Sequence, residues 1–250
     1  ARWVSRLFLP SFILVLAVRV YMLLDMEPLP FLKKDEFHKT HEWAQAIKEK
    51  AAGKQVAFVN SYQRASQYWF YSGEPAFSVN NVYYRRSNYN FWPLEAPLIN
   101  KPVLVVSPVN FNLFPDSIPN PKAATWSLTS DPYFSHSQIR ISGDKVIKAK
   151  QGHLKTKLIF SIPEGISMSE YFNRFDTAKI VLTIYFHDND PGLMLQSPLS
   201  LREALDGNTM VEMPLPVSLT PGRYRARWAI NSCLPGLPTL NSNSYMLEIE

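Results

Sequence analysis

Residues 55–73 read QVAFVNSYQRASQYWFYSG, and they join two patterns. Gln55–Asn60 is a short apolar run with β-branched residues, which fits a buried strand. Ser61 stands where a helix cap stands, its hydroxyl placed to accept from a backbone N–H of the first turn. A helix is predicted from Tyr62 to Ser72, and Gly73 closes it, because glycine adopts a left-handed cap without strain. Strand, cap, helix and stop in direct succession are the unit of an α/β layer.

Working outward, Trp43, Ala44, Ile47 and Ala51 recur at helical spacing. They predict a helix from about Thr40 to Ala52, with Gly53 as its stop. Ala76–Asn80 and Pro102–Ser107 read as further strands, and Thr125–Thr129 as an edge strand. Asn88–Ile99 reads as turn or helix, interrupted by Pro93 and Pro97. Together these elements predict a small αβα sandwich within a soluble domain at 26–130. No Gly-x-Gly-x-x-Gly follows the first strand, so the phosphate-cradling turn of a dinucleotide-binding domain is missing.

From residue 131 the pattern changes. Gln138–Ile141, Val146–Ala149, Leu154–Ile162, Ile180–His187, Met210–Leu215, Arg223–Ile230 and Ser244–Ile249 read as short strands separated by turn residues. They predict an immunoglobulin-like β-sandwich over 131–250. Short helices fit Ser167–Asn173 and Leu199–Leu205.

At the other end, Leu7–Leu24 reads LFLPSFILVLAVRVYMLL. At ~1.5 Å per residue it reaches about 27 Å, close to the ~30 Å hydrocarbon core, and it predicts a transmembrane helix within 1–25. No small-residue cleavage site follows, which disfavours a signal peptide. Arg19 would snorkel or pair with a neighbouring helix, so the segment is expected to sit in a bundle. Residues 25–35 read as a linker. The expected whole is α/β plus all-β: an N-terminal transmembrane helix, a small αβα sandwich, then a β-sandwich. Residue 1 is alanine, so the chain is expected to begin inside a longer parent.

Composition narrows the function classes. The chain has 250 residues, 46% hydrophobic and 13% aromatic, enough apolar surface for a real core. The net charge of +5 suits an anionic membrane surface, but the basic residues are scattered and nucleic acid is not expected as a partner. The single cysteine, Cys233, permits neither an internal disulfide nor a cysteine-based zinc site, and it reads as a small buried side chain.

Catalytic signatures are absent. There is no Gly-x-Ser-x-Gly elbow, His-Glu-x-x-His helix or phosphate-binding loop. His38 and His41 stand three apart near a helix start, and they read as an exposed turn rather than a metal site. His187-Asp188-Asn189-Asp190 reads as a polar turn, with Pro191-Gly192 directly after it. A divalent-ion site or a hydrolase using His187 and Asp188 is the weaker reading. No catalytic residue, metal or cofactor is therefore assigned. The distinctive region is 60–73 with 83–89. Tyr62, Gln63 and Arg64 would lie just beyond the first strand, where open α/β sheets bind ligands. With Tyr68, Tyr84, Arg85, Arg86 and Asn88 they form a candidate ligand-binding set, since aromatic faces and amides suit sugars and arginine suits phosphates. The competing reading packs the aromatics onto the sheet and leaves the arginines solvated.

Asn-Ser-Tyr-Gln-x-Ala-Ser-x-Tyr-x-Phe-Tyr-Ser-Gly at 60–73 and Tyr-Arg-Arg-x-Asn-Tyr at 84–89 resemble the C-terminal region of Bacteroidetes membrane glycosyltransferases of the GT-C class. These are described as dolichyl-phosphate-mannose-protein mannosyltransferase-like. Val18-Arg19-Val20-Tyr21, Pro221-Gly222-Arg223-Tyr224 and Leu240-Asn241-Ser242 fit the same resemblance. It implies a parent that moves a sugar from a polyprenyl-phosphate carrier to an acceptor at the bacterial inner membrane, with the soluble part periplasmic. It implies as partners the lipid bilayer, the polyprenyl-phosphate sugar or glycan acceptor, and the remaining membrane helices of the parent. The family's catalytic acidic loop matches no position here, so these residues are expected to be non-catalytic alone and to shape acceptor or glycan binding. The alternative is a stand-alone membrane-anchored carbohydrate-binding or interaction module.

Overall fold

The structure is a computed structural model. It describes residues 2–23, 39–85, 87–90, 93–119, 124–150, 152–162, 178–187, 190–207, 209–231, 234 and 236–250. The expected linker at 25–35, the helix at Ser167–Asn173, His38, Arg86, Asp188, Asn189 and Cys233 lie outside the described residues. Among the described residues strands make up 42% and helices are few, so the fold is β-rich and the expected class is corrected accordingly.

Helix α1 spans Arg2–Leu23 with Pro10 inside it. No helix among the described residues is long and apolar enough to cross a membrane, which overturns the transmembrane reading. The physical reason lies in the arginines. Between Arg6 and Arg19 the charge-free stretch is Leu7–Val18, whose rise is about 18 Å, well short of a ~30 Å hydrocarbon core. Leu7, Phe8, Phe12, Ile13, Leu14 and Leu16 are exposed along it.

The first sheet carries strands β1 (Gln55–Val59), β2 (Ala76–Val79), β3 (Val103–Ser107), β4 (Asp116–Ile118) and β5 (Thr125–Ser130), in the order β2-β1-β3-β5-β4. β1 runs parallel to β2 and β3, while β5 is antiparallel to β3 and β4. Helices α2 (Thr40–Ala51) and α3 (Tyr62–Ser72) contact each other. Trp43 of α2 and Tyr68 of α3 both pack on the Phe58 ring, each at 5.7 Å between centroids. A side chain on a strand points to one face only, so both helices cover the same face. Lys48 clips them together, donating to the Ser72 carbonyl at 3.0 Å and pairing with Glu74 at 3.1 Å. On the other face, a short 3-10 turn lies against β2. Tyr89, in the turn Asn88–Asn90, meets Phe77 of β2 edge-on at 6.0 Å. Three-layered αβα packing is thus replaced by a two-helix layer, a mixed sheet and a thin irregular cover.

The second part also departs from the expected sandwich. Nine strands follow: β6 (Arg140–Gly143), β7 (Val146–Lys150), β8 (His153–Ser161), β9 (Lys179–His187), β10 (Asp190–Ser200), β11 (Met210–Pro214), β12 (Gly222–Ile230), β13 (Thr239–Leu240) and β14 (Tyr245–Ile249). Seven form one continuous hydrogen-bonded path, β10-β9-β12-β14-β7-β8-β11, with β13 on β12 and β6 on β8. The end strands β10 and β11 approach each other, so the sheet curls round a single core. The joint of the path is β7, which pairs with β14 over four positions and with β8 over only two, beside the turn that links them, so the strands on either side of it can fold over one core. Ile180, Leu182 and Ile184 of β9 and Ala226, Trp228 and Ile230 of β12 point into that core. β10 contains Pro191, Gly192 and Pro198, which an end strand tolerates because one edge needs no ladder bonds. The Phe186 ring lies over Gly192, where any Cβ would meet it.

The two parts are stitched together. Tyr133, Leu234 and Leu237 pack into the first core. Glu95 is buried, and it accepts hydrogen bonds from the Tyr133 hydroxyl at 2.7 Å and from the Ser137 hydroxyl. Val82 donates to the Pro238 carbonyl at 3.1 Å, and Asn81 bridges to Thr239.

Candidate functional site

β1 and β2 are parallel and end in register, Val59 beside Val79. The segments that begin at Asn60 and Asn80 therefore leave the same sheet edge. Ser61 caps α3, accepting from the Arg64 N–H at 3.4 Å, and Gly73 closes the helix at φ 73°. Tyr62 is half-buried and Gln63 exposed; Arg64 is half-buried, its guanidinium 6.0 Å from the Trp43 ring centroid. Tyr84 is half-buried and Arg85 exposed in the turn after β2, and Asn88 opens the first 3-10 turn, also exposed. Tyr68 belongs elsewhere. It is fully buried, and its hydroxyl donates to Glu74 at 3.3 Å. Burial first, and then the Glu74 charge, push its pKa up, so it serves the core as a neutral phenol.

The amides of this edge are spent on one another and on the neighbouring loop. The Asn80 side-chain NH₂ has two hydrogens, shared among the Arg85 carbonyl (3.0 Å), Ser87 Oγ (3.1 Å) and Asn90 Oδ1 (2.7 Å). Its oxygen accepts from Ser78 at 3.1 Å. Asn60 donates to Asn81 Oδ1 at 2.9 Å and accepts from the Asn81 N–H at 3.1 Å. Asn80 thus holds the loop that carries Tyr84, Arg85 and Asn88. Asn80→Ala is expected to destabilise the chain by about 1–3 kcal/mol, since it leaves buried partners unsatisfied. Urea unfolding reads this, and a midpoint equal to wild type would show that the network carries no stability.

The larger accessible feature is on α3 itself. Ala65, Tyr68 and Ser72 face the sheet, and Trp69, Phe70 and Tyr71 lie outward, Phe70 at 80% exposure. Phe70 and Tyr71 meet edge-on at 5.0 Å, and His41 of α2 meets Tyr71 at 6.3 Å. These aromatics stand beside Gln63 and Ser66, which are also exposed. Helical spacing explains the exposure: Ala65, Tyr68 and Ser72 are one face, Phe70 lies opposite it, and Trp69 and Tyr71 lie on the two flanks.

A second group was hidden by sequence distance. Tyr185 of β9 pairs in register with Arg225 of β12. The guanidiniums of Arg225 and Arg227 lie over its ring, 4.6 and 5.3 Å from the centroid. The Tyr185 hydroxyl donates to the Val82 carbonyl at 2.7 Å, across the junction of the two parts. Burial raises the Tyr185 pKa, with the two arginines acting the other way. The sequence signal is the alternation Arg223-x-Arg225-x-Arg227, which puts three cations on one face of a strand.

Among the described residues no group of three or more His, Cys, Asp or Glu side chains is placed to hold a metal ion. His41 and His187 are exposed. The sequence matches no protein-family model, and no curated protein matches it.

Proposed function

We propose that these 250 residues are the extracytoplasmic, non-catalytic C-terminal part of a polyprenyl-phosphate-sugar-dependent glycosyltransferase of the bacterial inner membrane, and that they shape binding of the glycan or acceptor. The observation that carries the reading is the exposed Phe70 ring, flanked by Trp69 and Tyr71 on either side of a helix that Ala65 and Tyr68 fix to the sheet. Exposed aromatic rings beside amide and hydroxyl groups suit a sugar, whose C–H faces pack on π surfaces while its hydroxyls take polar partners. Gln63 supplies such a partner on the same outward side of the helix, and Arg85 with Asn88 supplies them at the neighbouring sheet edge.

The test is sugar transfer by the parent enzyme. Trp69→Ala with Phe70→Ala is expected to raise KM for the acceptor about tenfold with kcat unchanged, the loss of roughly 1.4 kcal/mol of binding. Arg85→Ala is expected to have a smaller effect of the same kind. Unchanged kinetics in a normally folded double variant would sink the binding role.

A further inference from the structure

We propose that the cavity between the end of α2 and the starts of β1 and β3 binds a phosphate group, held between Lys54 and Lys101. The cavity measures about 300 Å³ and is lined by Ala52, Gly53, Lys54, Gln55, Lys101 and Pro102. That volume is at the small end of the range for ligand pockets, and it suits a compact head group. Strand pairing explains its place. β1 and β3 are parallel, with Gln55 in register with Val103, so the residues that lead into them meet at one end of the sheet. None of the lining residues belongs to α3 or to the segments after β1 and β2. The site is therefore independent of the glycan reading above.

The charge around the cavity is one-sided. Lys54 is half-buried and donates one ammonium hydrogen to the Ala51 carbonyl at 3.3 Å, which leaves two. Lys101 is exposed. Neither lysine has an ion pair among the described residues, and no carboxylate is among the residues that line the cavity. The other lysines of this corner are already neutralised, Lys48 by Glu74 at 3.1 Å and Lys50 by Asp116 at 3.0 Å. The negative end of α2 accounts for a cation at Lys54, but not for Lys101, which arrives on the lead into β3. Both backbones are pinned. The Lys54 N–H donates to Ala51 at 3.0 Å, the Lys101 N–H donates to Leu98 at 3.2 Å, and the Lys101 carbonyl accepts from Tyr133 at 2.8 Å.

Uncharged donors complete the set. The Gln55 amide oxygen is covered by protein, so its NH₂ is the end that can reach the cavity. The Gly53 backbone N–H has no acceptor among the described residues, and the space beside Gly53 is open. Donors thus come from the turn after α2, the first residue of β1 and the lead into β3. A phosphate spreads its oxygens tetrahedrally and carries up to two charges, whereas a carboxylate offers two oxygens in one plane and a single charge. Lysine meets phosphate as a point charge from any of these directions. The group bound is a phosphate or phosphate monoester, whether free or at the head of a lipid.

The experiment uses the 250-residue chain. Binding of inorganic phosphate is followed by calorimetry, and binding to phosphatidylcholine vesicles with and without phosphatidic acid by co-sedimentation. Saturable binding of phosphate, of the phosphatidic-acid vesicles or of both is expected, and the responsive probe distinguishes a free phosphate from a lipid head group. Lys101→Glu is expected to weaken binding by about tenfold or more, and Lys54→Gln severalfold. Lys50→Gln, at a lysine that is already paired, is expected to stay within about twofold of wild type. Near-ultraviolet circular dichroism checks the fold; if Lys54→Gln unfolds, the exposed Lys101 variant decides alone. The proposal is overturned if neither probe binds, if folded Lys101→Glu binds like wild type, if Lys50→Gln is as damaging as Lys101→Glu, or if succinate binds as tightly as phosphate.

Discussion

Trp228→Ala is expected to destabilise the protein by about 3–5 kcal/mol, a large share of the ~5–15 kcal/mol that holds a typical domain folded. Trp228 is 0% exposed and lies on β12, between β9 and β14 in the middle of the curled sheet. Truncation there opens a cavity that strands locked on both sides cannot close. The indole adds a sharper check. Its Nε1 is buried and has no hydrogen-bond partner among the described residues. Trp228→Phe therefore opens a smaller cavity and also deletes an orphaned donor, two effects of opposite sign. It is expected to stay within about 1.5 kcal/mol of wild type. Urea unfolding of both variants reads the contrast. Equal losses for Ala and Phe would mean that the indole N–H is satisfied and that the core is held differently.

How much of this could be read from the sequence depends on the range over which each signal acts. Helix α3 was legible because its determinants are local: Ser61 caps it, Ala65, Tyr68 and Ser72 define its inner face, and Gly73 ends it. Helix α2 was nearly so: Gly53 is left-handed at φ 80° as its stop, but Ala52 before it is left-handed too, at φ 49°. Strand β10 was not legible. Pro191 and Gly192 read as turn, and only its place at the end of the path makes them tolerable in a strand. Curling of the second sheet was equally hidden. Alternation in β8 or β12 tells which side chains are buried, but not whether a second sheet or the same sheet covers them. The transmembrane reading failed because total apolar length was weighed above the position of Arg19. The candidate site divides the same way. The segments after β1 and β2 could be placed at one edge, since parallel neighbours end together. Tyr185 over Arg225 could not, since forty residues separate them and strand register alone brings them into contact.

Acid is expected to weaken the fold through His136, by about 4–5 kcal/mol in all. His136 is 2% exposed, and it stands on the segment that joins the two parts. Asn241 clamps that segment, donating to the carbonyls of His136 at 2.6 Å and Ile139 at 2.9 Å, while its own oxygen accepts from Ile230 and Thr239. The imidazole cannot easily move out to meet water. Burial lowers its pKa from 6.5 to about 3, against a smaller opposite effect from a hydrogen bond to the Asn231 backbone. The folded pKa lies below the unfolded one, so between these values the unfolded chain binds the extra proton. The stabilisation is thus complete above pH 6.5, falls by roughly 1.4 kcal/mol per pH unit below it, and is exhausted near pH 3. Urea unfolding at pH 7, 6, 5 and 4 measures that slope in wild type and in His136→Gln. The variant is expected to start less stable, because it leaves a poorly filled site, but to lose less with each pH unit. Carboxylates elsewhere titrate alike in both proteins, so the difference in slope isolates His136. Parallel pH profiles would show that the imidazole takes up its proton in the folded state as readily as in the unfolded chain, and that the junction opens to water around it.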